Sequence, residues 1–132
     1  MDYRTDRRLG VDEFRELLSA STLGERRPVD EPWRIEKMLE HGNLMVTAWE
    51  DGLLVGAARC FTDYAYVTYC SDLCVRVSHQ RQGIGKELLR KVMEVAPCSI
   101  VLLAAPKAVD YYPHIGFTQH NSAWIIRPGE LR

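Results

Sequence analysis

Two glycines one residue apart, Gly83 and Gly85, stand where an apolar, β-branched strand pattern runs directly into the best helical pattern of the chain. That junction fixes much of what can follow. Upstream, Tyr64 to Val77 alternates as a strand. Downstream, Gly83 to Val95 places Ile84, Leu88, Leu89, Val92 and Val95 on one helical face. The first N–H groups of a helix have no internal acceptors and lie at the positive end of its dipole. Glycines let a bulky ligand approach that backbone closely. The junction, Gln80-Arg81-Gln82-Gly83-Ile84-Gly85-Lys86, therefore reads as an anion site on physical grounds alone.

The rest of the chain frames it. Val11 to Ser19 reads as a helix, with Val11, Phe14, Leu17 and Leu18 at helical spacing and Asp12 and Glu13 early in it. Ser21 to Asp30 is polar and reads as a loop. Pro32 suits the first turn of a second helix, whose stripe would be Trp33, Ile35, Met38 and Leu39. His41-Gly42-Asn43 ends that helix. Leu44 to Trp49 and Leu53 to Phe61 then flank Glu50-Asp51-Gly52, a tight-hairpin signature. The strand Tyr64 to Val77 is long enough to expect a kink or bulge inside it. Ser99 to Ala104 reads as a strand buried on both faces. Lys107 to Ile115 reads as a short helix stopped by Gly116, and Phe117 to Ile126 as a final strand. Helices, an antiparallel meander, then strand–helix–strand–helix–strand imply an α+β fold around a mixed sheet, with residues 1–132 forming one domain.

Charge and cysteine content narrow the function classes. The formal net charge is -1, so no global positive field would hold a nucleic acid. No apolar run approaches the ~20 residues needed to span a bilayer, and the charged start, Met1 to Leu9, lacks the apolar core of a secretory signal. Cys60, Cys70, Cys74 and Cys98 form no CxxC pair. On one strand Cys70 and Cys74 would lie roughly 13 Å apart, beyond the reach of a disulfide. Reduced cysteines in a cytoplasmic protein follow. His41, His79, His114 and His120 show no ligand spacing, so no metal is expected.

Two nucleotide readings of the glycine turn fail on spacing. A Rossmann fingerprint needs a third glycine where Leu88 stands, and a Walker A loop needs four residues between its glycines and Ser or Thr after the lysine. Here one residue separates the glycines and Glu87 follows Lys86.

What Gln80-Arg81-Gln82-Gly83-Ile84-Gly85 resembles is the cofactor-binding motif of the GCN5-related N-acetyltransferases (GNAT), Gln/Arg-x-x-Gly-x-Gly/Ala. A second segment, Tyr111-Tyr112-Pro113-His114-Ile115-Gly116-Phe117, is similar to that family's Phe-Tyr-x-x-x-Gly-Phe. The element order matches from about Leu44 onward. Two departures stand out: Val77 replaces a frequent proline, and Ala105 stands near a frequent cofactor-holding asparagine.

The resemblance implies a mixed central sheet flanked by helices on both faces, and acetyl-CoA as co-substrate with no metal. Its pyrophosphate would sit on Gln80 to Lys86, and its pantetheine arm would pair with the backbone of Leu73, Cys74 and Val75 in a gap between splayed strands. An amine of a small molecule or peptide would attack the thioester directly. Tyr112 falls at the position of the family's usual general acid; the plain alternative is a core tyrosine wedging helix against sheet. Asp72 is the best-placed carboxylate for a base, and a local salt bridge explains it equally well. Arg26-Arg27 borders the acceptor side and reads as a solvated pair or as a clamp for a substrate anion. Cys74 sits on a strand, where it suits packing better than nucleophilic attack. Tyr64, Tyr66 and Tyr69, with Trp33, either line an acceptor pocket or pack across strands. Homodimerisation is compatible with the sequence, and no residue marks its interface. The rival reading is a CoA-binding sensor or regulatory module that keeps the fold without catalysis.

Overall fold

The structure is a computed structural model that describes all 132 residues. Its sheet has five strands in the order β1-β2-β3-β4-β5: β1 (Asp2–Arg4), β2 (Leu44–Glu50), β3 (Leu53–Thr62), β4 (Val67–Val75) and β5 (Ser99–Val101). The first four are antiparallel neighbours, and β5 joins β4 in parallel. The helices are α1 (Val11–Ala20), α2 (Pro32–His41), α3 (Ile84–Val95) and the single turn α4 (Tyr111–His114).

Two apolar clusters lie on opposite faces of this sheet. Phe14, Leu17 and Leu18 of α1 and Ile35 of α2 pack with Trp49, Leu54, Ala57 and Cys74. Ile84, Leu88, Leu89 and Val92 of α3 pack with Val46, Val55, Ala58, Cys60 and Cys70. Each fully buried Leu or Phe contributes about 1.5–3 kcal/mol of transfer free energy, so these faces fix how the helices seat. The stripe expected on α2 is narrower than its spacing suggests. Only Ile35 is buried there, and Trp33 lies on the surface beneath the Arg34 guanidinium, 4.4 Å from its ring centroid.

The hairpin expected at Asp51-Gly52 is present: both residues have positive φ (49° and 81°), the primed-turn geometry that matches strand twist. The bulge expected in the third strand is also there. Arg59 pairs with Asp72 and Cys60 with Cys70, which leaves Ser71 without an opposite residue. It inverts the strand's alternation, so Cys70 packs with α3 while Cys74, four residues on, packs with α1. All four cysteines are free thiols.

The C-terminal third departs from the pattern. β5 ends at Val101 rather than running to Ala104, and its residues are half-buried or exposed, not buried on both faces. Lys107 to Ile115 is not one helix but a 3-10 turn (Pro106–Ala108) followed by α4. Phe117 to Ile126 forms no strand, and every residue from Thr118 on is exposed. A strand pattern becomes a strand only when a neighbouring edge accepts its backbone, and this segment pairs with no strand of the sheet. No helix is long and apolar enough to cross a membrane.

Candidate functional site

The turn before α3 keeps its donors free. Arg81 (φ 64°) and Gly83 (φ 81°) adopt left-handed backbone that swings the chain from the 3-10 turn Val77–His79 into the helix. Gly83 caps α3 without a side-chain bond, and the helical ladder begins with the Glu87 amide donating to the Gly83 carbonyl at 3.1 Å. The amides of Gln82, Gly83, Ile84 and Gly85 find no acceptor in the protein. Arg81 and Lys86 are exposed and enter no ion pair, so their charges add to the helix-end field. A Cβ on Gly83 would meet open space, whereas one on Gly85 would stand 3.3 Å from the Tyr111 hydroxyl and 3.9 Å from methyls of Leu73 and Val75. Ile84, by contrast, turns into the core and anchors the turn. Four free amides and two unpaired cations fit a diphosphate group.

Gln80 plays a different part from its neighbours. Its side-chain amide donates to the Val75 carbonyl at 2.9 Å and reaches the Ser21 carbonyl at 3.4 Å, tying the turn to the end of β4. His79 is likewise internal: Glu50 and Ser78 hold its two ring nitrogens at 3.1 and 2.7 Å.

Beside the turn, β4 and β5 part company. They pair only from Val67–Ser99 to Tyr69–Val101, and β4 runs on to Val75 with nothing on that side. The Arg76 amide donates to the Val55 carbonyl at 2.7 Å. Because bonded and non-bonded pairs alternate in antiparallel strands, Cys74 opposite Ala57 spends its backbone on β3, while Leu73 and Val75 face the gap. The sequence-level trio is thus corrected to two: the backbone of Leu73 and Val75 is free toward the cleft, apart from the Val75 carbonyl held by Gln80, and that of Cys74 is not. The Cys74 thiol is buried and its pKa is pushed up to about 12 by desolvation, with the Asp72 charge adding, which removes it as a nucleophile.

Asp72 lies one residue past the bulge with a fully buried side chain. Arg27 Nε donates to its Oδ1 at 2.5 Å, and Arg59 Nε donates to its Oδ2. Arg27 also bonds the Ser71 carbonyl, and Arg59 the Ser71 hydroxyl and the Met38 carbonyl. A carboxylate with both oxygens held by guanidinium groups and its side chain shut off from solvent is out of reach of an incoming amine. The geometry therefore corrects the base reading: Asp72 is an ion-pair centre joining the α1–α2 loop, β3 and β4. Arg27, read as a loop cation, turns inward. Arg59 was missed altogether, since no spacing links residues 13 and 45 positions apart.

Tyr112 packs half-buried against the α3 cluster, edge-to-face with Phe117 and Tyr111 at 5.3 Å between centroids. Desolvation raises its pKa to about 12, with smaller pushes from Cys70 and Tyr111, so the hydroxyl keeps its proton across the neutral range. Its neighbour Tyr111 reaches the glycine turn. Burial raises the Tyr111 pKa, partly opposed by the Lys86 amide at its hydroxyl. No group of three His, Cys, Asp or Glu side chains could hold a metal ion. Phe61, Tyr69, Asn43, His41 and Asp63 line a surface cavity of about 420 Å³ near the start of β4, and Trp33 is not part of it.

Comparison with known proteins bears on the family and the fold. The model of the acetyltransferase (GNAT) family matches residues 11–117. An uncharacterised N-acetyltransferase of Prochlorococcus marinus is 31% identical over 120 residues, covering 85% of this chain and 64% of the relative. The chain spans still less of two further relatives, 37% and 26% of their lengths. Among solved structures, a probable acetyltransferase of Staphylococcus aureus superposes with TM-score 0.77 at 20% identity, covering 96% of this chain and 98% of the other. An aminoglycoside N-acetyltransferase in complex with CoA superposes with TM-score 0.72 at 19% identity, covering 96% and 93%. With 107 of its 132 residues inside the family match and the fold shared along nearly its whole length, the chain belongs to the GNAT family of acetyltransferases.

Proposed function

We propose that this chain, as one domain over residues 1–132, transfers an acetyl group from acetyl-CoA to a primary amine of a small molecule or peptide. The observation that carries the reading is the run of unpartnered amides from Gln82 to Gly85 opening beside the unpaired side of β4. The amides of Gln82, Gly83, Ile84 and Gly85 would bind the pyrophosphate, with Arg81 and Lys86 supplying charge and Gln80 shaping the turn. The backbone of Leu73 and Val75 would align the pantetheine arm. An N–H of that pair would polarise the thioester carbonyl as a single donor. The amine attacks the carbonyl carbon, the carbon–sulfur bond breaks, and the Tyr112 hydroxyl gives its proton to the departing sulfur and recovers one from water. The amine's own proton leaves through water, because Asp72 is committed to Arg27 and Arg59. The free thiols, including the register partners Cys60 and Cys70, fit a reducing cytoplasm.

The test is free-thiol release from acetyl-CoA with a panel of amines. Turnover on at least one amine is the expected result. Cofactor-dependent thermal stabilisation with no turnover on any amine would instead favour a CoA sensor.

A further inference from the structure

Tyr111 stands where the motif it resembles carries phenylalanine, so its hydroxyl is an addition of this chain's own. That hydroxyl lies at the glycine turn. It is the nearest atom, at 3.3 Å, to the point a Cβ on Gly85 would occupy. The Lys86 amide, which finds no backbone acceptor, lies against the same oxygen. A phenol has one O–H to donate and lone pairs to accept with. Here the Lys86 N–H has a lone pair to meet, while the O–H donates to no group of the protein. A donor is thus left without an acceptor beside four amides in the same condition.

The ring that carries this donor is held in place. Tyr111 packs edge-to-face on Tyr112, with 5.3 Å between centroids and 72° between planes, and Tyr112 packs in the same way on Phe117. The Tyr112 carbonyl accepts from the Ile115 and Phe117 amides at 3.2 and 3.0 Å, which closes α4 behind the pair. The adjacent tyrosines therefore divide. Tyr112 enters the α3 cluster, and Tyr111, 38% exposed, stays at the turn. Burial raises the Tyr111 pKa, so the hydroxyl keeps its proton at neutral pH and remains a donor.

We infer that the Tyr111 hydroxyl is a side-chain ligand of the diphosphate, donating its O–H to a phosphate oxygen while the Lys86 amide donates to the phenol oxygen. The inference rests on the reading of the turn as a pyrophosphate site and adds to it a group that the backbone does not supply. Gly85, lacking a Cβ, leaves the space between the free amides and the hydroxyl empty, and any side chain there would come between them. Hydrogen bonds to a charged acceptor are stronger than those between neutral groups. Phenylalanine at this position would fill the same volume and lose that bond alone.

The test compares the full chain with its Tyr111→Phe variant, which keeps the ring and its packing on Tyr112. Three ligands separate the contributions: CoA, dephospho-CoA, which retains the diphosphate without the 3′-phosphate, and pantetheine, which has neither. Calorimetry should show the Kd of CoA and of dephospho-CoA raised by the same factor in the variant, about tenfold or more. Pantetheine, titrated against backbone amide resonances so that weak affinity is read, should behave alike with both proteins. Equal CoA affinity in wild type and variant would overturn the inference and leave the role of the backbone amides standing. A penalty seen with CoA and absent with dephospho-CoA would overturn it in favour of the 3′-phosphate. A penalty of the same size with pantetheine would overturn it in favour of packing. A wild type that binds no CoA would overturn the pyrophosphate reading itself, and this inference with it.

Discussion

Replacing Asp72 with asparagine separates a structural carboxylate from a catalytic base. The substitution keeps the shape and removes the charge, leaving two guanidinium groups facing an amide that can accept from only one of them. The Arg59 side chain is 6% exposed and that of Arg27 is 21%, so neither is rehydrated without local opening. Removing one partner of a buried ion pair costs about 3–5 kcal/mol, and the partial exposure of Arg27 places this case near the lower figure. A domain of this size is stable by about 5–15 kcal/mol, so the loss is a large fraction. With a urea m value of about 1–3 kcal/mol/M, the unfolding midpoint should fall by about 1 M or more. The assay pairs urea unfolding, followed by circular dichroism, with acetyl transfer per folded molecule under native conditions. Expected is a large drop in midpoint with turnover reduced less than about tenfold, since losing a true general base costs about 100- to 10,000-fold. An unchanged midpoint with turnover lost on that larger scale would refute the structural reading and restore Asp72 as the base.

Other outcomes follow from the same geometry. Gly85→Val should raise the Kd for CoA by about a hundredfold or more in calorimetry, because its side chain would enter the space between Tyr111, Leu73 and Val75. Gly83→Val forces a β-branched residue to φ 81°, at a cost of about 1–3 kcal/mol, so here the unfolding midpoint should drop as well. Tyr112→Phe should lower kcat with the CoA Kd unchanged; equal kcat would remove Tyr112 from the reaction. Tyr112 also predicts a pH effect. Its folded pKa of about 12 lies above the unfolded value of about 10, so its stabilising contribution is complete below pH 10 and is lost as pH rises toward 12. The stability difference between wild type and Tyr112→Phe should therefore stay constant to about pH 9 and shift only above about pH 10.

What the sequence made legible was what local pattern decides. Both N-terminal helices, the Asp51-Gly52 hairpin, the bulge and the turn into α3 each follow from spacing or from a residue with special backbone freedom. The anion turn belongs to this class, since its donors are backbone groups whose freedom depends only on where a helix starts. What pattern could not show was long-range pairing. Asp72, Arg27 and Arg59 meet because the bulge at Ser71 and the loop after α1 converge, and neither position signals the other. The direction of Tyr111 escaped for a similar reason: α4 is a single turn, too short for helical spacing to assign its faces. The unrealised strand at 117–126 shows the limit from the other side, because a strand needs a neighbour as well as a composition.

The most direct test follows backbone amide resonances while coenzyme A is titrated into the full chain. The Gln82 to Gly85 amides should move downfield together and saturate at the same Kd that calorimetry gives, as free N–H groups acquire phosphate acceptors. Saturable binding that leaves those four resonances in place, and perturbs amides elsewhere, would contradict the proposed grip on the pyrophosphate.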